Sequence, residues 1–278
     1  MLMRDVNIRN KDFISLLDRL SASVNNLWDN HYDLLQEIKE YHLEHCDPEY
    51  HRKKLLAGGI TDQDPYDQAP HWDILPFDWR EQGNLYDPCG EEYLSYMKVL
   101  WAEKGHADKS TCGFPNKEPF APRNAMLKMP HIWQHPAIVE MNEVSHEISY
   151  NYLGGFSIAL TAFYLPGGFI PWHHNANAPG YNLLLHYSQT GEGWFYTEHD
   201  GKIVEYKDKP REWIARAGVF KQGVPFTENR RSETYEMAKD VNDLSWHAAK
   251  TECNRFTLST IINNRDMWEN LIAEIEEE

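Results

Sequence analysis

The segment 164–175 ends in side chains that can bind a metal ion. It reads Tyr-Leu-Pro-Gly-Gly-Phe-Ile-Pro-Trp-His-His-Asn, so His173, His174 and Asn175 follow an apolar run typical of a strand. Successive side chains of a strand point to opposite faces, so His173 and Asn175 are expected to share a face. A register shifted by one residue would put His174 in the place of His173. The His-x-Asn pair is therefore a candidate for half of a metal site.

A single imidazole holds a divalent ion weakly, so a further ligand has to come from a distant part of the chain. His247, 74 residues after His173 (247 − 173), is the candidate. The run 254–262 that follows alternates polar and apolar residues and predicts a strand with Arg255 and Thr257 on one face. An arginine beside hydroxyl groups can hold a carboxylate through two parallel N–H groups. The same polar face could instead be exposed to solvent.

Two histidines on distant strands and a downstream Arg-x-Thr resemble the iron(II)- and 2-oxoglutarate-dependent dioxygenases, most closely the prolyl-hydroxylase-like branch. The resemblance spans residues 150–265 and implies a double-stranded β-helix, the jelly-roll fold of the cupins. By this resemblance the metal ligands and catalytic residues are His173, Asn175 and His247, and the residues that bind 2-oxoglutarate are Arg255, Thr257 and Tyr164.

Two glycine-containing segments extend the resemblance. Residues 191–195, Gly-Glu-Gly-Trp-Phe, resemble the strand that follows the first ligand strand in this family. Residues 217–220, Ala-Gly-Val-Phe, resemble a later turn. We therefore expect a strand at the first segment and a turn at the second.

Asn175 departs from the family pattern, which has an aspartate at this position. A carboxylate gives iron(II) a negative charge and a hard oxygen, whereas an amide gives only a neutral carbonyl oxygen. Three functions stay open: an oxygenase in which the amide oxygen or a water fills the position, a halogenase-like variant, and a non-catalytic binding module with a degenerate metal site. The halogenase is disfavoured because Asn is larger than the Gly or Ala of such relatives.

Dioxygenases of this type use Fe(II) and the co-substrate 2-oxoglutarate to hydroxylate an unreactive C–H bond. The resemblance therefore implies an enzyme that acts on a small molecule or a peptide side chain, and no residue identifies which one. Several aromatic residues flank the motifs and could wall a pocket, although core packing is the expected role for most of them. These are Trp172, Trp194, Trp246, Tyr181 and Tyr187.

The composition disfavours several classes of partner. Of the 278 residues, 27 are Lys or Arg and 43 are Asp or Glu, which gives a formal net charge of −16. An acidic surface repels phosphate backbones, so no nucleic-acid partner is expected. Apolar runs long enough for a membrane span or a signal peptide are absent, so we expect no membrane partner and a cytoplasmic location. Nothing in the composition indicates an oligomeric state.

Other kinds of chemistry lack their motifs. The sequence has no phosphate-binding glycine loop and no Gly-x-Ser-x-Gly elbow. The cysteines form no Cys-x-x-Cys pair and are expected to be reduced thiols. They are Cys46, Cys89, Cys112 and Cys253.

Hydrophobic periodicity divides the chain into three regions. Residues 1–148 are helix-rich with long loops, 149–265 form the strand-rich core, and 266–278 are an acidic C-terminal helix or tail. Within the core, 222–245 is long and polar, and we expect either a lid over the pocket or a surface helix at 233–240. The predicted fold class is α+β, with N-terminal helices packed on a double-stranded β-helix.

Helical spacing locates the N-terminal helices. It predicts one long helix or two consecutive helices across 12–44, and another across 91–104. A third is expected to begin near Pro136, because proline is tolerated in the first turn of a helix. Strand alternation begins only after Gly155.

Overall fold

The computed structural model describes residues 2–37, 40, 87, 89–104, 130–152, 158–175, 179–221 and 236–278. Within these ranges the chain forms α-helices and two antiparallel β-sheets. This agrees with the predicted α+β class. The two sheets do not join into a closed barrel in the described part of the chain.

The helices agree closely with those predicted at 91–104 and from Pro136. They are α1 (Lys11–Asn30), α2 (Glu91–Lys104), α3 (Pro130–Trp133), α4 (Pro136–Glu147) with a π-helical turn at Ile148–Tyr152, and α5 (Arg265–Glu276). Helix α1 begins where it does because the Asn10 side chain accepts hydrogen bonds from the backbone N–H groups of Asp12 and Phe13. The periodic segment 12–44 is interrupted at His31, after which 32–37 are again helical.

Nine strands of the described chain are divided between the two sheets. They are β1 (Arg4–Val6), β2 (Ile158–Tyr164), β3 (Phe169–His173), β4 (Gly180–Ser188), β5 (Gly193–His199), β6 (Lys202–Lys207), β7 (Ile214–Phe220), β8 (His247–Thr251) and β9 (Arg255–Ile262). The five-stranded sheet has the order β1-β7-β4-β9-β2, and the four-stranded sheet has the order β3-β8-β5-β6. Side chains of both sheets meet in a shared interior that includes Tyr164, Leu184, Phe195 and Ala249.

The outer face of the five-stranded sheet packs against helices α1, α4 and α5. On β9 the residues Phe256, Leu258 and Ile262 belong to this core, as the alternation predicted. The helices contribute their own buried side chains, among them Leu20 of α1 and Met141 of α4. The N-terminal helices belong to the same folded unit as the sheet because they cover its apolar outer face.

The outer face of the four-stranded sheet packs against α2. Trp172, Tyr196 and Trp246 form this second core with Cys89 and Leu94. Trp194 is partly buried against the same cluster, while Tyr181 and Tyr187 belong to the helix-facing core of the other sheet. Core packing is therefore the role of all five aromatics that flank the motifs, and none of them walls the shared interior.

Two local predictions need correction. Residues 217–220 are not a turn, because they lie in β7, where Ala217 pairs with both Leu183 and Arg4. The part of the polar insertion that the structure describes, 236–245, contains no helix, so the predicted surface helix at 233–240 is wrong over 236–240. Residues 222–235, which carry most of the predicted lid, lie outside the described residues.

Two of the cysteines can be assessed. Cys89 and Cys253 are buried free thiols, as expected, whereas Cys46 and Cys112 lie outside the described residues. Among the helices that the structure describes, none combines the length and the apolar composition needed to cross a bilayer.

Helix α1 can be tested by truncating one core side chain. Leu20 is fully buried in the helix-facing core. We expect Leu20→Ala to reduce the free energy of unfolding by about 2–5 kcal/mol, because it removes apolar contacts and leaves a cavity. The exposed Ser15→Ala in the same helix should change it by less than about 0.5 kcal/mol. Urea unfolding followed by circular dichroism measures both; equal effects would contradict this packing.

Candidate functional site

A β-bulge in β3 places His173 opposite His247. Ile170 pairs with Ala249 across the β3–β8 ladder, and the register then shifts by one residue before His173 pairs with His247. Without the shift, Trp172 would face His247 instead (170 + 249 − 247 = 172). A bulge re-aims the side chains that follow it. His173 is thereby directed to the interior side of the sheet while Trp172 stays in the outer core.

The two predicted histidine ligands lie against each other. Their ring centroids are 4.1 Å apart. Nδ1 of His247 lies 2.7 Å from the carbonyl oxygen of Ser245, which can only accept, so Nδ1 carries the hydrogen. Nε2 of His247 then carries a lone pair, which accepts a long hydrogen bond of 3.5 Å from Nδ2 of Asn175. The structure thus brings His173, His247 and Asn175 together, with one imidazole already oriented as a metal ligand would be.

His174 lies on the other side of the strand. Its ring is fully buried and meets Trp246 edge to face, with the ring centroids 4.7 Å apart. Burial, together with the charge of His173, lowers the pKa of His174 from 6.5 to about 3. The alternation of side chains in β3 therefore excludes His174 from the cluster, and His173 is the residue that shares it.

Aromatic rings enclose His247. The Phe220 ring stacks on it with centroids 4.6 Å apart and planes 9° apart, and Phe195 lies 5.8 Å away. Burial, with the nearby charge of His173, lowers the pKa of His247 well below its ordinary value. The imidazole is therefore neutral at physiological pH, which is the form that binds metals.

The donor set at this cluster fits a first-row divalent ion held by neutral ligands. Imidazole nitrogens suit iron, zinc and copper, and an amide oxygen is a weaker additional ligand. Carboxylates and thiolates do not join them: the described residues contain no group of three or more His, Cys, Asp and Glu side chains that could hold a metal ion. His173 and His247 could thus hold the ion with Asn175 as the third side chain.

The predicted carboxylate-binding residues also come together. Arg255 is fully buried, its Nη1 donates to Thr257 Oγ1 at 3.3 Å, and its guanidinium lies 5.4 Å from the centre of the Tyr164 ring. Arg255 has a second partner that the sequence did not predict. Its Nε lies 2.5 Å from Oδ2 of Asp208. One edge of the guanidinium is therefore paired with a carboxylate of the protein itself.

A second arginine shares this carboxylate. Nη1 of Arg216 lies 3.4 Å from Oδ1 of Asp208, and its Nε lies 3.3 Å from the exposed Asp5. Two buried guanidinium groups thus meet a single buried carboxylate. Gly193 allows the close packing, because a Cβ at Gly193 would lie 2.5 Å from Asp208 Oδ2 and 2.9 Å from Arg255 Nε.

Two further polar side chains of the shared interior were not predicted. Nε2 of His186 and Oγ1 of Thr197 are buried without a hydrogen-bond partner among the described residues. His186 pairs with Thr257 across the β4–β9 ladder, and Thr197 pairs with His247 across the β5–β8 ladder. His186 could have been predicted from the sequence. It alternates with apolar residues in β4 and therefore lies on the opposite face of the strand.

Phe195 connects the histidine pair to the arginine cluster. Its ring lies 5.8 Å from that of His247 and 5.7 Å from that of His186. His186 in turn contacts Thr257, whose hydroxyl meets Arg255. The candidate metal ligands and the candidate carboxylate-binding residues therefore belong to one interior.

Two surface cavities lie away from the histidine pair and Arg255, and Arg216 of the buried ion cluster lines the smaller one. One, of about 770 Å³, is bordered by the β5–β6 turn, the end of β7 and residues 236–245. The other, of about 550 Å³, lies between α1 and β7. Neither is lined by His173, His247 or Arg255.

Comparison with known proteins adds no assignment: no known protein family matches the sequence, and no curated protein matches it either.

Removing the shared carboxylate tests the buried ion cluster. In Asp208→Asn, Arg216 and Arg255 would keep buried charges without their anion, so we expect the free energy of unfolding to fall by about 3–5 kcal/mol. Glu212→Gln breaks the exposed pair with Lys209 and should cost at most about 1 kcal/mol. Urea unfolding of both variants measures the difference. A loss at Asp208 no larger than that at Glu212 would rule out a closely paired cluster.

The buried histidine His186 should make stability depend on pH. Burial, with the positive charges of Arg255 and Arg216, lowers its pKa well below the ordinary value. Below about pH 6.5 the unfolded chain takes up a proton that the folded protein does not, so the free energy of unfolding falls as the pH falls. The His186→Gln variant has no imidazole at this position, so its unfolded chain does not take up this proton. The free energy of unfolding of the wild type, minus that of the variant, should therefore decrease by about 1.4 kcal/mol as the pH falls from about 7.5 to about 5.5.

Urea unfolding across this pH range measures that difference, and His199→Gln is the matched control because the His199 side chain is 40% exposed. The control should show no comparable change. A parallel response of wild type and His186→Gln would mean that His186 is protonated in the folded protein.

Proposed function

We propose that this protein is an iron(II)- and 2-oxoglutarate-dependent oxygenase that hydroxylates a small molecule or a peptide side chain. One observation carries the proposal. His173 and His247 lie side by side on neighbouring strands, and the hydrogen bond from Nδ1 of His247 to Ser245 leaves the lone pair of Nε2 facing Asn175. A surface histidine pair has no need of a fixed tautomer, whereas a metal ligand does.

The strand order supports a double-stranded β-helix as the fold. Strands β2 to β9 are divided equally between two facing sheets, with β2, β9, β4 and β7 in one and β3, β8, β5 and β6 in the other. Eight antiparallel strands distributed over two sheets in this way correspond to the jelly-roll arrangement. Strand β1 adds to the edge of the larger sheet.

In this proposal His173, His247 and Asn175 hold iron(II). The bound iron would supply the activation of oxygen, which side chains alone cannot provide. Ser245 orients the His247 ring through its carbonyl, and Phe220 and Phe195 shield the ligand from water. A dry site with oriented ligands is the contribution of the protein to such chemistry.

Arg255, Thr257 and Tyr164 bind the far carboxylate of 2-oxoglutarate in this proposal. Asp208 occupies the Nε and Nη2 edge of the guanidinium, so the carboxylate would approach the outer N–H groups of Nη1 and Nη2. A guanidinium has five N–H groups and can serve two carboxylates at once. The proposal includes a cytoplasmic location and no nucleic-acid partner, and the acidic net charge disfavours binding to a phosphate backbone.

A non-catalytic binding module is the second candidate. Two observations favour it: Asn175 replaces the charged ligand, and Asp208 already neutralises part of Arg255. A halogenase-like variant has less support, because the Asn175 side chain lies beside His247, where a halide would need room.

Metal and co-substrate binding separate these candidates. We expect the metal-free protein, titrated anaerobically with iron(II) and 2-oxoglutarate, to develop the visible charge-transfer band of an iron-chelated 2-oxo acid. His173→Ala and His247→Ala should abolish the band, since each removes an imidazole ligand. His174→Ala should leave it, because the His174 ring lies on the other side of the strand.

Asn175→Asp is the decisive comparison. If both the wild type and Asn175→Asp show the band, the oxygenase is supported, with tighter iron binding expected in the variant because a carboxylate replaces a neutral ligand. A band in Asn175→Asp alone would mean that the wild-type protein is a binding module. Release of succinate during turnover would then be measured only for the protein that forms the chelate.

A further inference from the structure

Among the described residues of the shared interior, two buried arginines meet one buried carboxylate. Arg255 and Arg216 are buried, and Asp208 is the buried carboxylate that both contact. The additional partner of Arg216, Asp5, has a side chain that is 76% exposed and lies in a high dielectric. A small anion that enters the interior would complete the neutralisation of this cluster.

A buried hydrogen-bond donor lies beside the same cluster. Thr257 Oγ1 accepts a hydrogen bond from Arg255, since a guanidinium can only donate. We assign the hydroxyl hydrogen of Thr257 to Nδ1 of His186, 3.1 Å away, which places the ring hydrogen of His186 on Nε2. This assignment uses the Thr257 hydroxyl as both acceptor and donor.

Nε2 of His186 has no hydrogen-bond partner among the described residues, although His186 is only 1% exposed. A buried donor without a partner costs free energy, and native proteins rarely leave one unless a water or a ligand satisfies it. Burial and the charges of the two arginines lower the pKa of His186, so the ring stays neutral and keeps one hydrogen to donate.

We propose that His186 is a further binding residue for the acid co-substrate, donating from Nε2 to the carboxylate that Arg255 holds. The identity of the ligand as a 2-oxo acid rests on the proposed function, whereas recognition of a carboxylate rests on His186, Thr257 and Arg255 themselves. Thr257 positions His186 by holding Nδ1. The three side chains share the inner face of β4 and β9, where His186 pairs with Thr257.

Carboxylate binding by the metal-free full-length protein tests this assignment. Succinate is the first probe, because it carries the carboxylate without the metal-chelating keto acid, and 2-oxoglutarate is the second. We expect His186→Phe, which keeps a ring of similar size without the donor, to weaken binding by about 10-fold or more in isothermal titration calorimetry. His186→Gln places an amide N–H near the position of Nε2 and should bind within about threefold of the wild type.

Thr257 provides a second pair of variants in case His186→Phe does not fold, with urea unfolding as the check on each protein. Thr257→Val removes the hydroxyl that holds the ring and should weaken binding, whereas Thr257→Ser keeps the hydroxyl and should preserve it. Equal affinity of wild type, His186→Phe and Thr257→Val would overturn the inference. Binding of neither acid by the wild type would overturn it as well.

The two proposals can fail separately. An iron chelate band in wild type and in His186→Phe, with unchanged affinity for 2-oxoglutarate, would leave the oxygenase standing and remove the role of His186. Binding of succinate that depends on His186, without any iron chelate band, would support this inference and remove the oxygenase.

Discussion

The ion pair between Arg255 and Asp208 lies between the two sheets, and the polar interior is arranged around it. A buried charge is stable only when a partner of opposite charge and further hydrogen bonds replace the water it has lost. Asp208 follows β6, Arg255 begins β9, and Arg216 on β7 contacts the same carboxylate. Three strands from two sheets therefore have to keep their relative positions for the pair to exist.

That requirement explains the remaining side chains of the interior. Position 193 requires a glycine, because Asp208 and Arg255 fill the space that a Cβ would occupy. Thr257 accepts from Nη1 of the guanidinium, away from the Nε atom that pairs with Asp208, and the Tyr164 ring packs against the guanidinium. The interior is polar at a place where a well-packed apolar core would be at least as stable, so this buried ion pair is weak evidence for a stabilising role.

Much of the fold was predictable because it follows from side-chain periodicity. The alternation in 254–262 predicted both faces of β9, and the same rule separated His173 and Asn175 from His174. Helices α2 and α4 were predicted from helical spacing and from the position of Pro136. These elements agree with the sequence because one face of each is apolar and has to be buried.

What the sequence did not reveal depends on contacts between distant residues. The bulge in β3 adds one residue to the strand. Side-chain periodicity does not indicate where the pairing register between two strands shifts. Asp208 looks like an ordinary acidic residue among lysines at a strand end, and only the tertiary fold brings it to Arg255. Residues 217–220 resembled a turn, but Ala217 hydrogen-bonds on both sides within the sheet, and this pairing overrides the local preference of Ala-Gly.

The charges of the interior connect the two halves of the candidate site. In the proposed site His173, His247 and Asn175 would be neutral ligands, so a divalent ion would keep its two positive charges, and the arginine cluster adds one more after pairing with Asp208. An aspartate at position 175 would have removed one of these charges. In its absence a metal and a dianionic acid would each reduce the cost of burying the other, because opposite charges attract strongly in a low dielectric. If the proposed function holds, binding of the two is interdependent across Phe195, which is packed between the histidine pair and His186.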